Sequence, residues 1–437
     1  MRRFAFKAAA LALVLVIFAP AALSASENIG RRWTPADVGD VTVDVMWWGG
    51  DARHEAMLAA LDIFMERYPN VTIEPIFVSF ADYYYILLVH VAAGMAPDLM
   101  QIHYPWVQFY VSNGVLLDLN TVAHILDLNE WEDWQLDFKR FEGELAAVPH
   151  GITGRVVLYN RPLLEEFGLQ TFPATTQGLL RLGQQLELDD YYFALVNADG
   201  LLFDFLILTW LYATTGNAMQ EGGQMLHAVH EVAAVFDLVG RMQRAGAVQS
   251  PWQEDFVSWS ADPIWTQGFA AGVLTWTDQV HLFIDSFQTE GGGNWDDLGI
   301  TALPVPAGAS PVIKQRPSMG HAIARDSRHP EVVAYLLNFL YTDEVALTAL
   351  GSTLGLPVSR TARDVAMAND LFTPSQIEAM DFVTASGGAI DARFEDPALR
   401  QLRLEIIEDF RNGRINSREA ARRFIDQQQA VLDTFYN

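Results

Sequence analysis

Trp47 and Trp48 stand where an apolar run stops and a helical pattern begins, in VTVDVMWWGGDARHEAMLAALDIFMERYPNV (residues 41–71). An indole N–H seeks a partner, so such a pair is either part of a core or one wall of a ligand site. Catalytic patterns are scarce around it. HEAML at 54–58 lacks the second histidine of HExxH, and no Walker loop, GxGxxG fingerprint or GxSxG elbow occurs. The chain has no cysteine, which removes disulfides, thiolate metal ligands and a cysteine nucleophile. The 54 acidic residues can conceal two carboxylates about 5–9 Å apart, so a carbohydrate-active hydrolase stays open as an alternative.

At 437 residues two domains are expected, and an apolar share of 51% beside 19% charged residues is that of a globular chain. A formal charge of −26 speaks against nucleic acid and anionic membranes as partners, because both need a basic face. MRRFAFK is a basic leader, AAALALVLVIFAPAAL an apolar stretch too short for a membrane span, and SAS a small-residue cleavage region. Residues 1–25 therefore read as a secretory signal peptide, with 26–40 a polar leader. Loss of Arg2, Arg3 and Lys7 takes the charge to −29. With no cysteine for acylation, an exported, unanchored, periplasmic protein is expected, and a monomer.

Regular elements alternate after residue 40. VTVDVMWW has the alternation and valine content of a strand, and Asp51 is placed to cap the helix that follows. Met57, Leu61, Phe64, Met65 and Tyr68 recur at helical spacing until Pro69–Asn70 stops them. VTIEPIFV is the next strand, a helix over about 80–93 follows, and a third strand comes after the Gly/Pro of AAGMAPDLMQI. LAAVPHGITGRVVLYN reads as two strands around a Pro/Gly bend, and GITALPVP and STLGLPVS as two further strand-like crossings. Helices are expected over 330–350 and in DPALRQLRLEIIEDFRNG, and another opens at Asn416 with Glu419 completing a capping box. Strands alternating with helices predict an α/β layered fold with parallel pairing.

A string of motifs then carries a resemblance from residue 41 to the C-terminus. They are WWGG, FMERYPNVTIEP, AAGMAPDLMQI, NGVLLDLN, AAVPHGITGRVVLYNRPLLEEFGL, GITALPVP, HAIARDSRHPEVVAYLLNFLYTDEVA and RNGRINSREAARRF. In this order the chain resembles a family 1 extracellular solute-binding protein, the maltose-binding-like, sugar-capturing component of ABC importers. The resemblance implies the two-lobed periplasmic-binding-protein fold of type II, each lobe a sheet flanked by helices, closing over a ligand in the cleft. It implies a first lobe of 41–148 and 304–353, a second of 155–298 and 358–437, and hinges near 148–155, 298–304 and 354–359. It also implies delivery of the ligand to an inner-membrane permease, with no cofactor and no catalytic residue.

In α/β sheets the crevice lies beyond the carboxyl ends of the strands. Sugars present an apolar CH face and a rim of hydroxyls, which call for aromatic platforms beside Asp, Asn, Arg and backbone groups. Trp48 is then a stacker and Asp51 a hydroxyl acceptor, with Trp47 left to the core. Tyr104 and Trp106, just past the third strand, are the next candidates, and His103 reads as a supporting hydrogen bonder rather than a metal ligand. The aspartate and arginine of maltose binders are replaced here by Pro105 and Trp106, which speaks against maltose. The resemblance places Thr153 at a ligand contact. Arg155, charged within an apolar strand, either donates to hydroxyls or joins the lobes in a salt bridge. GFAAGVLTWTDQ resembles the family segment ending in a tryptophan, which makes Trp276 the leading stacker and Asp278 its neighbour; Asp204 and Phe394 complete the set. No metal site is expected. With only 28 Lys and Arg in the chain a neutral sugar is favoured, with a polyol or glycerol-phosphate-type ligand as the alternative.

Overall fold

The computed structural model describes residues 33–137, 139–141, 143–186, 193–197, 202–248, 260, 263–385, 387–390, 394 and 396–436. The expected signal peptide and residues 26–32 of the leader lie outside the described residues.

The alternating run of residues 41–48 forms strand β1 (Val41–Trp48), and Val71–Val78 forms β2 beside it in parallel register. Strand β3 (Leu99–His103) lies parallel on the other side of β1. Met319–Ile323 and then Val148–Pro149 add antiparallel neighbours, giving a five-stranded mixed sheet. Helix α1 (Asp51–Arg67) buries Met57, Leu61 and Phe64 as the spacing predicts. Its N-cap is Gly50 rather than Asp51; the carboxylate of Asp51 is already in the first turn, where it meets the positive helix end without a capping bond. Helix α2 (Phe80–Ala92) is capped by Ser79, whose hydroxyl accepts from the Asp82 N–H. The expected 330–350 helix is two, Pro330–Thr342 and Glu344–Leu350, divided where the Asp343 side chain caps the second.

The second sheet is built on the long strand Ile152–Asn160, all of whose residues are buried. Gly272–Trp276, Leu298–Thr301 and Ile313–Pro317 all pair antiparallel with it, while Val196–Asn197 lies parallel beside Gly272–Trp276 and Gly387–Ala389 beside Ile313–Pro317. Helices Leu202–Thr215, Val229–Arg244, Pro397–Arg411 and Ser417–Tyr436 cover it. Asn416 accepts from the Glu419 N–H at the start of the last of these, as the sequence predicts.

The chain passes between the sheets at His150–Gly151, within the expected 148–155. The return differs from expectation. Ile313–Pro317 pairs with residues of the second sheet while Met319 already pairs in the first, so the chain returns at Ser318 and not over 298–304. STLGLPVS forms no strand; its turns run alongside the other passages instead. The Ser318 N–H donates to the Gly151 carbonyl, the His150 N–H to Met319 and the Val358 N–H to His150, each at 2.9 Å. Gly151 is fixed by this convergence, because a Cβ there would lie 2.6 Å from the Leu356 carbonyl oxygen.

Two histidines are sealed beneath the passages. The His321 Nδ1 meets the Tyr341 hydroxyl at 2.9 Å, and His150 packs 5.6 Å from the same ring. Burial holds them neutral, bringing His150 to about 4 and His321 to about 3. A histidine depressed by folding contributes stability above its ordinary pKa of 6.5 that is lost as pH falls toward the folded value. Unfolding free energies from urea titrations are therefore expected to drop between pH 6.5 and about 4, by roughly 5 kcal/mol. His321→Asn should flatten that slope; a wild-type protein already flat across this range would mean that both histidines charge freely in the folded state.

Candidate functional site

His103 ends β3 and pairs with Met319, next to the passage at Ser318, so the carboxyl edge of the first sheet faces the second. Aromatic side chains gather on that edge. Trp47 and Trp48, adjacent on a strand, point to opposite faces. Trp47 is fully buried against His54 and Phe77, in the core as expected. Trp48 meets Phe80, Tyr83, His103 and Trp106 edge-on, at centroid distances of 5.6, 4.9, 6.4 and 5.9 Å. It keeps 7% of its surface and supports the cluster instead of offering a face. The accessible rings are Phe80, 51% exposed, and half-buried Trp106, which lie nearly parallel at 13° and 5.9 Å. Asp51 is exposed at the helix start.

Across the crossing, Thr153, Arg155, Trp276 and Arg316 share one face of the second sheet, since Thr153 pairs with Arg316 and Arg155 with Trp276. The Thr153 hydroxyl donates to Asp278 Oδ1 at 2.8 Å and meets the Thr277 hydroxyl at 3.2 Å. Arg53 of α1 approaches from the first lobe; it donates to the Thr353 carbonyl at 2.8 Å and the Trp48 carbonyl at 3.2 Å, and feels the charge of Asp278. Thr153 and Asp278 are thus brought together opposite a first-lobe cation, as a polar pair able to meet a hydroxyl.

Trp276 is placed differently from a free stacking platform. The Arg155 guanidinium lies 4.0 Å and that of Arg316 4.2 Å from its ring, the Phe205 edge is 5.2 Å away, and 5% of its surface is open. Two cations lie against its ring here. Asp204 and Phe394 leave the site altogether. The buried Asp204 carboxylate takes Arg403 in two bonds of 2.8 and 3.1 Å. The same guanidinium donates to the Phe394 carbonyl and lies 4.0 Å from its ring. Asp204 thus serves a buried ion pair inside the second lobe.

Cations missed by the sequence reading sit near His103. Lys139 is fully buried, with its ammonium 5.0 Å from the ring of Tyr104, itself buried. Burial first, and then the charge of Arg316, lowers Lys139 to about 7. His103 is held well below its ordinary value by burial and by Arg316, Lys139 and Arg400. Arg316 was detectable in principle, as one of two cations in the short strand IKQRP; Lys139, inside the polar run DFKRFEGEL, carried no signal.

A sequence profile of the bacterial extracellular solute-binding proteins matches residues 50–347. The chain belongs to that family. Solved structures agree with this solute-binding protein in fold, all at identities that speak for the fold alone. A periplasmic solute-binding protein from Pectobacterium atrosepticum superposes with a TM-score of 0.79 at 23% identity, covering 91% of this chain and all of that one. An oligogalacturonide-binding protein from Yersinia enterocolitica, in complex with saturated digalacturonic acid, reaches 0.76 at 21% over 91% of this chain and all of its own. A designed esterase reaches 0.80 at 22% over the same shares, so the architecture by itself excludes no chemistry. Among the described residues of this solute-binding protein, no three or more His, Cys, Asp or Glu side chains are grouped to hold a metal, and no helix is long and apolar enough to cross a membrane.

Proposed function

We propose that this protein is exported to the periplasm, captures a mono- or oligosaccharide between its lobes, and delivers it to an ABC importer permease without chemically changing it. The observation that carries the reading is the pairing, across one crossing, of accessible rings with a hydroxyl-competent pair. Phe80 and Trp106 lie on the first lobe's carboxyl edge, and Thr153 with Asp278 on the second. Membership of a solute-binding family and the oligosaccharide bound by the Yersinia relative support the same ligand class. In this reading His150–Gly151, Ser318 and the 354–358 turn are the hinge, a few residues between rigid sheets that absorb the rotation. Ligand favours the closed arrangement by binding it better than the open one.

A thermal-shift screen of the chain from Ser26 against mono-, di- and trisaccharides, with product analysis on each hit, tests this. A ligand at about 100 times its Kd adds roughly 2.7 kcal/mol, a shift of a few degrees. A sugar that stabilises and is recovered intact is the expected result. A sugar that is consumed, or stabilisation by none of the panel, would overturn the proposal.

A further inference from the structure

We infer that the captured ligand bears an anionic group, a carboxylate or a phosphate monoester on a polyhydroxylated body, and that Lys139 and Arg316 are its counter-ions. The inference deepens the sugar-binding reading and rests on it, while replacing the neutral ligand that the small number of cations suggested. Its foundation is the Lys139 ammonium, fully buried and without a hydrogen-bond partner. Buried charges are ordinarily paired, because an uncompensated one keeps its whole desolvation cost. This protein follows that rule elsewhere: the buried Arg403 is matched by Asp204. Around Lys139 the neighbouring charge is of its own sign, since Arg316 acts on it and both, with Arg400, act on His103. Among the described residues no carboxylate forms an ion pair with Lys139. In a chain with 54 acidic and 28 basic residues, this convergence runs against composition.

The position suits a ligand group. Tyr104, under the ammonium, follows the carboxyl end of β3, and Arg316 projects from the opposing sheet two residues before the passage at Ser318. The lysine therefore comes from the first-sheet side and the guanidinium from the second. An anion between them would relieve their mutual repulsion and draw the lobes together. It enters with the lobes apart; closure then removes water and strengthens both contacts. Half-buried Trp106, 5.1 Å from His103, offers a ring for the apolar face of the same ligand.

Calorimetric titration with matched ligands tests this. Galacturonic and glucuronic acids and their dimers are compared with the neutral sugars, and glycerol 3-phosphate with glycerol. At least one anionic member is expected to bind about 10–100-fold more tightly than its neutral partner, the scale of a charge-assisted hydrogen bond. Lys139→Met and Arg316→Gln should each remove most of that preference. The arm that responds identifies the anion as carboxylate or phosphate. Equal affinity for neutral and anionic sugars, or an unchanged preference in both variants, would overturn the inference while the sugar-binding reading stood. Binding of glycerol 3-phosphate alone would support the counter-ions but end the sugar reading. Silence across the panel would overturn both.

Discussion

Replacing Asp204 by alanine is expected to destabilise the second lobe by about 3–5 kcal/mol, as removal of one partner of a buried ion pair does. Arg403 would keep its place among Phe394, Gln428 and helix Leu202–Thr215, losing both carboxylate bonds while 1% exposed. Asp204→Ala with Arg403→Met should recover much of the loss, because the double variant removes the orphaned charge along with its partner. Urea denaturation of the single and double variants measures this. The competing view, which the sequence suggested, makes Asp204 a ligand contact. It would be upheld by a single variant that unfolds like wild type but binds ligand more weakly.

Asp204 shows where reading the chain stops working. An aspartate before the apolar run FLILTWLYATTG carries no mark of its partner, which lies 199 residues away. The sheets were more accessible, because alternation and helical spacing are local. β1, β2, α1 and α2 follow from them almost residue by residue, Gly50 in place of Asp51 as the cap being a one-position difference. The return crossing was hidden for a related reason. IKQRP has the composition of a surface loop, yet all five residues are buried because its cations lie over rings from other elements, Lys314 at 3.3 Å from Tyr212 and Arg316 at 4.2 Å from Trp276. Polar sequence and buried strand are reconciled only by tertiary partners.

The candidate site divides along the same line. Residue type pointed to Thr153 and Asp278, and the sheet register brings them together with Thr277. It also pointed to the tryptophans, but type cannot say which indole keeps an open face. Trp106 does, at the start of a short helical turn, whereas Trp48 and Trp276 are enclosed by neighbours from distant segments. Charge counting misled most. A small total of cations is compatible with a basic cleft when several of them are gathered at one crossing and the acidic majority lies elsewhere.

Lys139→Met is expected to stabilise the ligand-free protein, an unusual sign for a core substitution. Methionine has a similar length and no charge to desolvate, and it can keep the packing on Tyr104 and the glycine backbone at Gly320. Folding lowers Lys139 from its ordinary 10.5 to about 7, which at 1.36 kcal/mol per tenfold change in proton affinity is a cost of up to about 5 kcal/mol. The sign follows from which state holds the proton. Below pH 7 both states are charged and the cost is complete; between about 7 and 10.5 the folded lysine is neutral while the unfolded one is not, so the wild type gains stability as pH rises. The advantage of the variant should therefore be greatest at or below pH 7 and fade toward pH 10. Arg316, His103, His321 and the Tyr104 ring surround the ammonium and remain in the variant, so the lysine is the group that accounts for the trend. Denaturant midpoints of both proteins at pH 6, 7, 8.5 and 10 are the measurement, with those pH values placed about the folded and unfolded pKa. A variant less stable at every pH would mean that the ammonium already has a compensating partner in the free protein, and the uncompensated charge on which the anionic ligand is inferred would not exist.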